Sequence, residues 1–210
     1  MFPTPTLNIQ AILFDADGVI QRSAPRRRAA WQELLGREED IDDFIAAVFE
    51  IERPALNGSS DFISALASLL TARCAQGTLD DALAAWTMIE PDEAMIQLVR
   101  TLQRSGVQCS LATNQEPHRA SYMSGQLGYN GLFDHEFYSC RMGVAKPEHA
   151  YFAYIVDRLG LPPADVLFLD DNEANVYSAR HVGLNAVQFV VDAGPEHLVQ
   201  SLEEFGICVD

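Results

Sequence analysis

The chain has 210 residues, 48% of them hydrophobic and 21% charged, a balance that suits one globular domain or one domain carrying a modest insertion. With 14 basic against 30 acidic side chains the formal charge is −16, which repels nucleic acid and anionic lipid and argues against both as partners. The same charge repels phosphorylated ligands, so a phosphate site in this chain must supply its own local cation.

The opening residues, MFPTPT, lack the basic start and apolar run of a signal peptide. No apolar stretch approaches the roughly 18 residues that cross a bilayer. A cytoplasmic location is the expectation. Cys74, Cys109, Cys140 and Cys208 are scattered without C-x-x-C spacing and read as free thiols.

In chain order, the first element is the partly β-branched run IQAILF at residues 9–14, a buried strand by its pattern. Similar runs recur at 108–112, 136–138, 166–169 and 186–190. Helix-like segments lie between them at 92–104, 117–127, 147–159 and 173–182. Pro91 and Pro147 are placed at first turns, and Gly106, Gly160 and Gly183 just past helix ends. Strands alternating with helices predict an α/β fold: a doubly wound, mostly parallel, Rossmann-like sheet. Residues 21–90 break the alternation, with helical pattern at 26–35, 41–51, 61–74 and 79–88 and no convincing strand. The expected organisation is an α/β core from 1–20 and 91–210, with a small all-helical segment, 21–90, inserted after the first strand.

In open α/β sheets ligands bind at the carboxyl ends of strands. The residues there are Asp15-Ala16-Asp17-Gly18-Val19, Thr113-Asn114, Lys146-Pro147 and Asp170-Asp171. Carboxylates gathered at one point repel one another unless a cation joins them. A hard, incomplete oxygen set suits Mg²⁺, which retains waters and accepts a substrate oxygen. Asp15 could then approach a phosphate and attack phosphorus, while Asp17 protonates the leaving oxygen and later deprotonates water. The Thr113 hydroxyl and Lys146 would hold phosphate oxygens, Lys146 being the local cation that the acidic surface withholds.

These four stations, in this order, resemble the motifs of the haloacid dehalogenase-like hydrolases, and 21–90 falls where that family carries its small cap. The run LFLDDNEAN at 167–175 is similar to the bacterial α-glucose-1-phosphatase type and to the phosphatase domain of soluble epoxide hydrolases. The resemblance implies Asp15 as nucleophile and Asp17 as acid/base. Thr113, Asn114 and Lys146 would bind the transferring phosphate, and Mg²⁺ would be held by Asp15, the Asp17 carbonyl and Asp171. Asp170 would orient a metal-bound water or Lys146. Two positions depart from the common pattern: Leu169 stands where many members have glycine, and Asn175 where many have another acid.

The implied function is a Mg²⁺-dependent phosphatase acting on a small phosphorylated metabolite, a sugar phosphate for example, through an aspartyl phosphate. A phosphosugar mutase and a non-enzymatic phospho-acceptor or binding protein are the alternatives. A dehalogenase is disfavoured, because carbon–halogen displacement needs no acid such as Asp17. The run Arg26-Arg27-Arg28 reads as a solvated helix face, with a clamp on a second anionic group as the competing reading. Arg53 is a weaker candidate of the same kind. The five histidines lack zinc-ligand spacing, and Trp31 and Trp86 read as core of the insertion.

Overall fold

The computed structural model describes residues 9–36 and 41–208. Residues 1–8 and 209–210 of the expected core and 37–40 of the expected insertion lie outside them. The α/β core begins with β1 (Ala11–Phe14), and the segment that follows carries β2 (Gln21–Ser23), α1 (Arg27–Leu35), α2 (Ile41–Glu52), α3 (Phe62–Ala72), α4 (Leu79–Trp86) and β3 (Ile89–Pro91). The core resumes with α5 (Glu93–Arg104), β4 (Gln108–Thr113), α6 (Pro117–Gly125), β5 (His135–Tyr138) and α7 (Ser139–Met142). It ends with α8 (His149–Leu159), β6 (Val166–Asp170), α9 (Glu173–His181), β7 (Asn185–Gln188) and α10 (Pro195–Glu203).

Five strands form one parallel sheet in the order β5-β4-β1-β6-β7. Its central strand, AILF, is buried at every position, as a strand covered on both faces must be. Alternate residues serve opposite faces: Ile12 and Phe14 join one apolar cluster, Ala11 and Leu13 the other. The chain builds outward from β1 through β4 to β5, then crosses back to β6 and β7. Phe14 pairs with Leu111 on one side and Leu169 on the other. Asp15 therefore emerges at the switch point, flanked by the carboxyl ends of β4 and β6.

The inserted segment has its own apolar cluster, centred on Trp31, Phe44, Phe62 and Trp86. Its helices pair α1 with α4 and α2 with α3. One expectation fails here, because the segment is not purely helical. Gln21–Ser23 and Ile89–Pro91 form an antiparallel ribbon where the chain leaves and re-enters the core, so Pro91 closes a strand rather than opening a helix. Three-residue strands with mixed polarity carry no period that a sequence reading can detect. Asp92 instead caps α5, its carboxylate accepting from the N–H groups of Ala94 and Met95. Pro147 likewise precedes the N-cap Glu148 rather than sitting in the first turn of α8. Arg22 fastens the ribbon to the core through Asp92 at 2.5 Å and Asp192 at 2.9 Å. No helix among the described residues is long and apolar enough to cross a membrane.

Candidate active site

The carboxyl end of the sheet gathers the acids. One oxygen from each of Asp15, Asp170 and Asp171 lies within 4.8 Å of the others. Gly18 lets the first loop close on this group. Its φ is +79°, and a Cβ there would lie 2.4 Å from Asp171 Oδ2, so only glycine fits.

Lys146 is buried among these groups. Its ammonium sits 2.8 Å from Asp15 Oδ1 and 2.6 Å from Asp170 Oδ2, and donates to the Ala112 carbonyl at 3.0 Å. Burial alone would lower its pKa, but the two carboxylates hold it above the usual lysine range. Burial pushes the Asp15 carboxyl up to about 7; Lys146 opposes this and Asp170 adds to it. The half-buried Asp171 is also raised, by burial and by the charge of Asp170. This is the signature of acids crowded without enough positive charge.

The three acids are not equivalent. Asp170 is fully engaged: Oδ1 accepts from the Asn172 N–H at 2.8 Å and Asn175 Nδ2 at 3.0 Å, and Oδ2 accepts from Lys146 and from Asn175 at 3.1 Å. A carboxylate has about four lone-pair positions, so little of Asp170 is left for a ligand. Asn175, at the position where an acid would be common, is thus a donor to both Asp170 oxygens. Helix α9 is capped by Asn172, whose side chain accepts from the Ala174 N–H at 2.9 Å. The donor set fits Mg²⁺ through Asp15 and Asp171: hard oxygens, raised pKa values and a surplus of negative charge.

Asp17 stands apart from that group. Its Oδ1 accepts from Arg119 Nη2 at 2.8 Å and Gln21 Nε2 at 3.0 Å, and its Oδ2 from Gln115 Nε2 at 2.8 Å. Burial would raise its pKa, yet Arg119 and the two amides bring it below the usual carboxylate range. Thr113 is buried at the end of β4, and its hydroxyl accepts from Gln115 Nε2 at 3.3 Å. Both polar ends of the Asn114 side chain bind the backbone of Lys146, Nδ2 donating to its carbonyl and Oδ1 accepting from its N–H, each at 2.9 Å.

Sequence reasoning missed Gln21, Gln115 and Arg119. A signal existed for the last two: they follow β4 and occupy the entry to α6, at the same sheet edge as Thr113. The arginine triplet is also resolved. Arg26 and Arg28 are exposed, with Arg28 paired to Asp42, and the exposed Arg53 pairs with Glu50 at 2.7 Å. Arg27 instead points inward. It lines a cleft of about 520 Å³ with Asp17, Gly18, Arg22, Ser23, Phe49 and Arg119.

The chain is 27% identical to the fructose-1-phosphate phosphatase YqaB of Escherichia coli over 84% of its own length and 94% of that protein's. It is 27% identical to flavin mononucleotide hydrolase 1 of Arabidopsis thaliana, over 56% of this chain and 46% of that one. The chain spans less than half the length of four of the curated relatives it matches. Among solved structures, the enzyme bt-2542 of Bacteroides thetaiotaomicron superposes with a TM-score of 0.77, covering 91% of this chain and 98% of that one at 18% identity, a likeness of fold. The haloacid dehalogenase-like hydrolase family matches residues 9–183, and the chain belongs to that family.

Proposed function

We propose that the protein is a Mg²⁺-dependent phosphatase that hydrolyses a small phosphorylated metabolite through an aspartyl phosphate on Asp15. The observation that carries this reading is the placement of Asp15 at the switch point. Lys146 lies 2.8 Å from it, Asp171 lies beside it, and a second acid, Asp17, stands at the neighbouring cleft. Relatives named as phosphatases support the same chemistry.

Bound Mg²⁺ would be held by Asp15 and Asp171, with the Asp17 carbonyl as a further oxygen, and would offset the charge of the acids and the incoming phosphate. An Asp15 oxygen attacks phosphorus and the bond to the leaving oxygen breaks, that oxygen taking a proton from Asp17. Asp17 then removes a proton from water, which attacks the aspartyl phosphate and releases inorganic phosphate. Asp17 can carry a proton only once it has left Arg119, so the first half-reaction includes exchange of that ion pair. Lys146 and the Thr113 hydroxyl bind phosphate oxygens, and Asn114 serves by fixing Lys146. The inserted segment, 21–90, acts as a cap over the cleft.

The test is phosphate release from a panel of phosphorylated metabolites, with Mg²⁺ and with EDTA. Release should depend on Mg²⁺ and fall about a thousand-fold or more in Asp15→Asn, the scale of losing a nucleophile. Undiminished release by that variant would falsify the assignment. Isomer formation without phosphate release would identify a mutase.

A further inference from the structure

Arg27 and Arg119 are the two buried arginines among the described residues, and they differ in their partners. Arg22, Arg28, Arg53 and Arg119 each have a carboxylate partner. Arg27 makes no ion pair among the described residues. Its guanidinium donates to Ser23 Oγ at 2.7 Å and lies over the rings of Trp86 and Phe49, at 5.0 and 5.7 Å from their centroids. The residue is only 7% exposed. Arg119 lies over the same Trp86 ring at 5.2 Å, and its buried Nε has no hydrogen-bond partner.

Two guanidinium groups on one indole repel each other, and the acids around them compensate poorly. Asp17 is committed to Arg119, Gln21 and Gln115. Glu116 is occupied by the Trp86 N–H and by the first N–H groups of α6. Burial pushes Glu52 up to about 7, so it is only partly ionised near neutrality. A buried cation without a partner is costly, and a ligand that brings the missing charge removes that cost.

We propose that Arg27, supported by Arg119, is a second anion site, and that the preferred substrates carry a carboxylate or second phosphate on the leaving-group side. This rests on the phosphatase reading for its orientation. The cleft has Asp17 and Gly18 from the first strand loop and Arg27 and Phe49 from the inserted segment, so a leaving group seated in it lies between acid/base and guanidinium. Phe49, 45% exposed, offers its ring to the carbon skeleton.

The test uses matched probes with Mg²⁺. Values of kcat/KM are compared for 3-phosphoglycerate against glycerol 3-phosphate, and for fructose 1,6-bisphosphate against fructose 1-phosphate. Binding of 3-phosphonopropionate against propylphosphonate is measured by calorimetry, which needs no turnover. The wild type should prefer the member with the second anion, and the pair that shows it separates carboxylate from phosphate. Arg27→Gln should cut the preference about ten-fold or more, the scale of a charge-assisted hydrogen bond, and Arg27→Lys should retain part of it. No preference in any pair, or an equal loss for both members in Arg27→Gln, overturns the proposal. A binding preference without phosphate release from any probe would sink the phosphatase reading and leave the anion site standing.

Discussion

Asn114 grips the peptide of Lys146 at both its carbonyl and its N–H, tying the end of β4 to the loop that carries the lysine. The ammonium between Asp15 and Asp170 is therefore placed from behind, by a residue that does not touch either acid. Asn114→Ala should release that loop. We expect kcat/KM for phosphate release to fall about ten- to a hundred-fold, and urea unfolding to show a loss of about 1–3 kcal/mol, the range for unsatisfied buried hydrogen-bonding groups.

Crowding of Asp15 and Asp171 predicts a metal response that needs no substrate. Mg²⁺ that binds the native acids and not the unfolded chain raises the melting temperature. A thermal scan with and without MgCl₂ should show this rise in the wild type and little of it in Asp171→Asn. An equal rise in both would remove Asp171 from the metal site.

Asn175→Asp replaces the donor that spans both oxygens of Asp170 with a second buried acid. Without Mg²⁺ the variant should lose roughly 2 kcal/mol, because a like charge replaces a hydrogen bond. Asn175→Ala, which removes the donor without adding charge, should lose less. Unfolding curves of the two variants measure the difference.

Glu52 predicts a pH dependence of stability. Burial, together with Glu116 and Asp17, raises its folded pKa to about 7, against the opposing charges of Arg119 and Arg27. The folded state therefore holds this proton more tightly than the unfolded state, whose carboxyl titrates near 4.5. Between those values stability falls as pH rises, by up to about 3 kcal/mol at the conversion of about 1.4 kcal/mol per pKa unit. Glu52→Gln removes this slope, so its gain in melting temperature over the wild type should be larger at pH 8 than at pH 5.

The parallel sheet was legible because its strands are short apolar runs, and the stations were legible because acids and a lysine follow those runs directly. The ribbon of β2 and β3 was not, since QRS and IEP have neither length nor alternation. The donors to Asp17 were hidden for a different reason. Gln21, Gln115 and Arg119 reach it only through the tertiary fold, and nothing local marks a glutamine as a partner. Arg27 was readable in principle. Trp31, expected in the core, lies one helical turn beyond it, and residues at i and i+4 share a face. Arg26 and Arg28 lie off that face, which is why only the middle arginine turns inward.

The adjacent strands β2 and β3 give the inserted segment its entry and exit side by side. Nothing between them sets the pairing of β1 with β4 and β6. On the proposed function the labour is divided along the chain: one stretch would carry the groups that break the ester, and another would carry Arg27 and Phe49, which would choose it. Exchanging residues in the second stretch is a route to new ligand preferences that leaves the first in register.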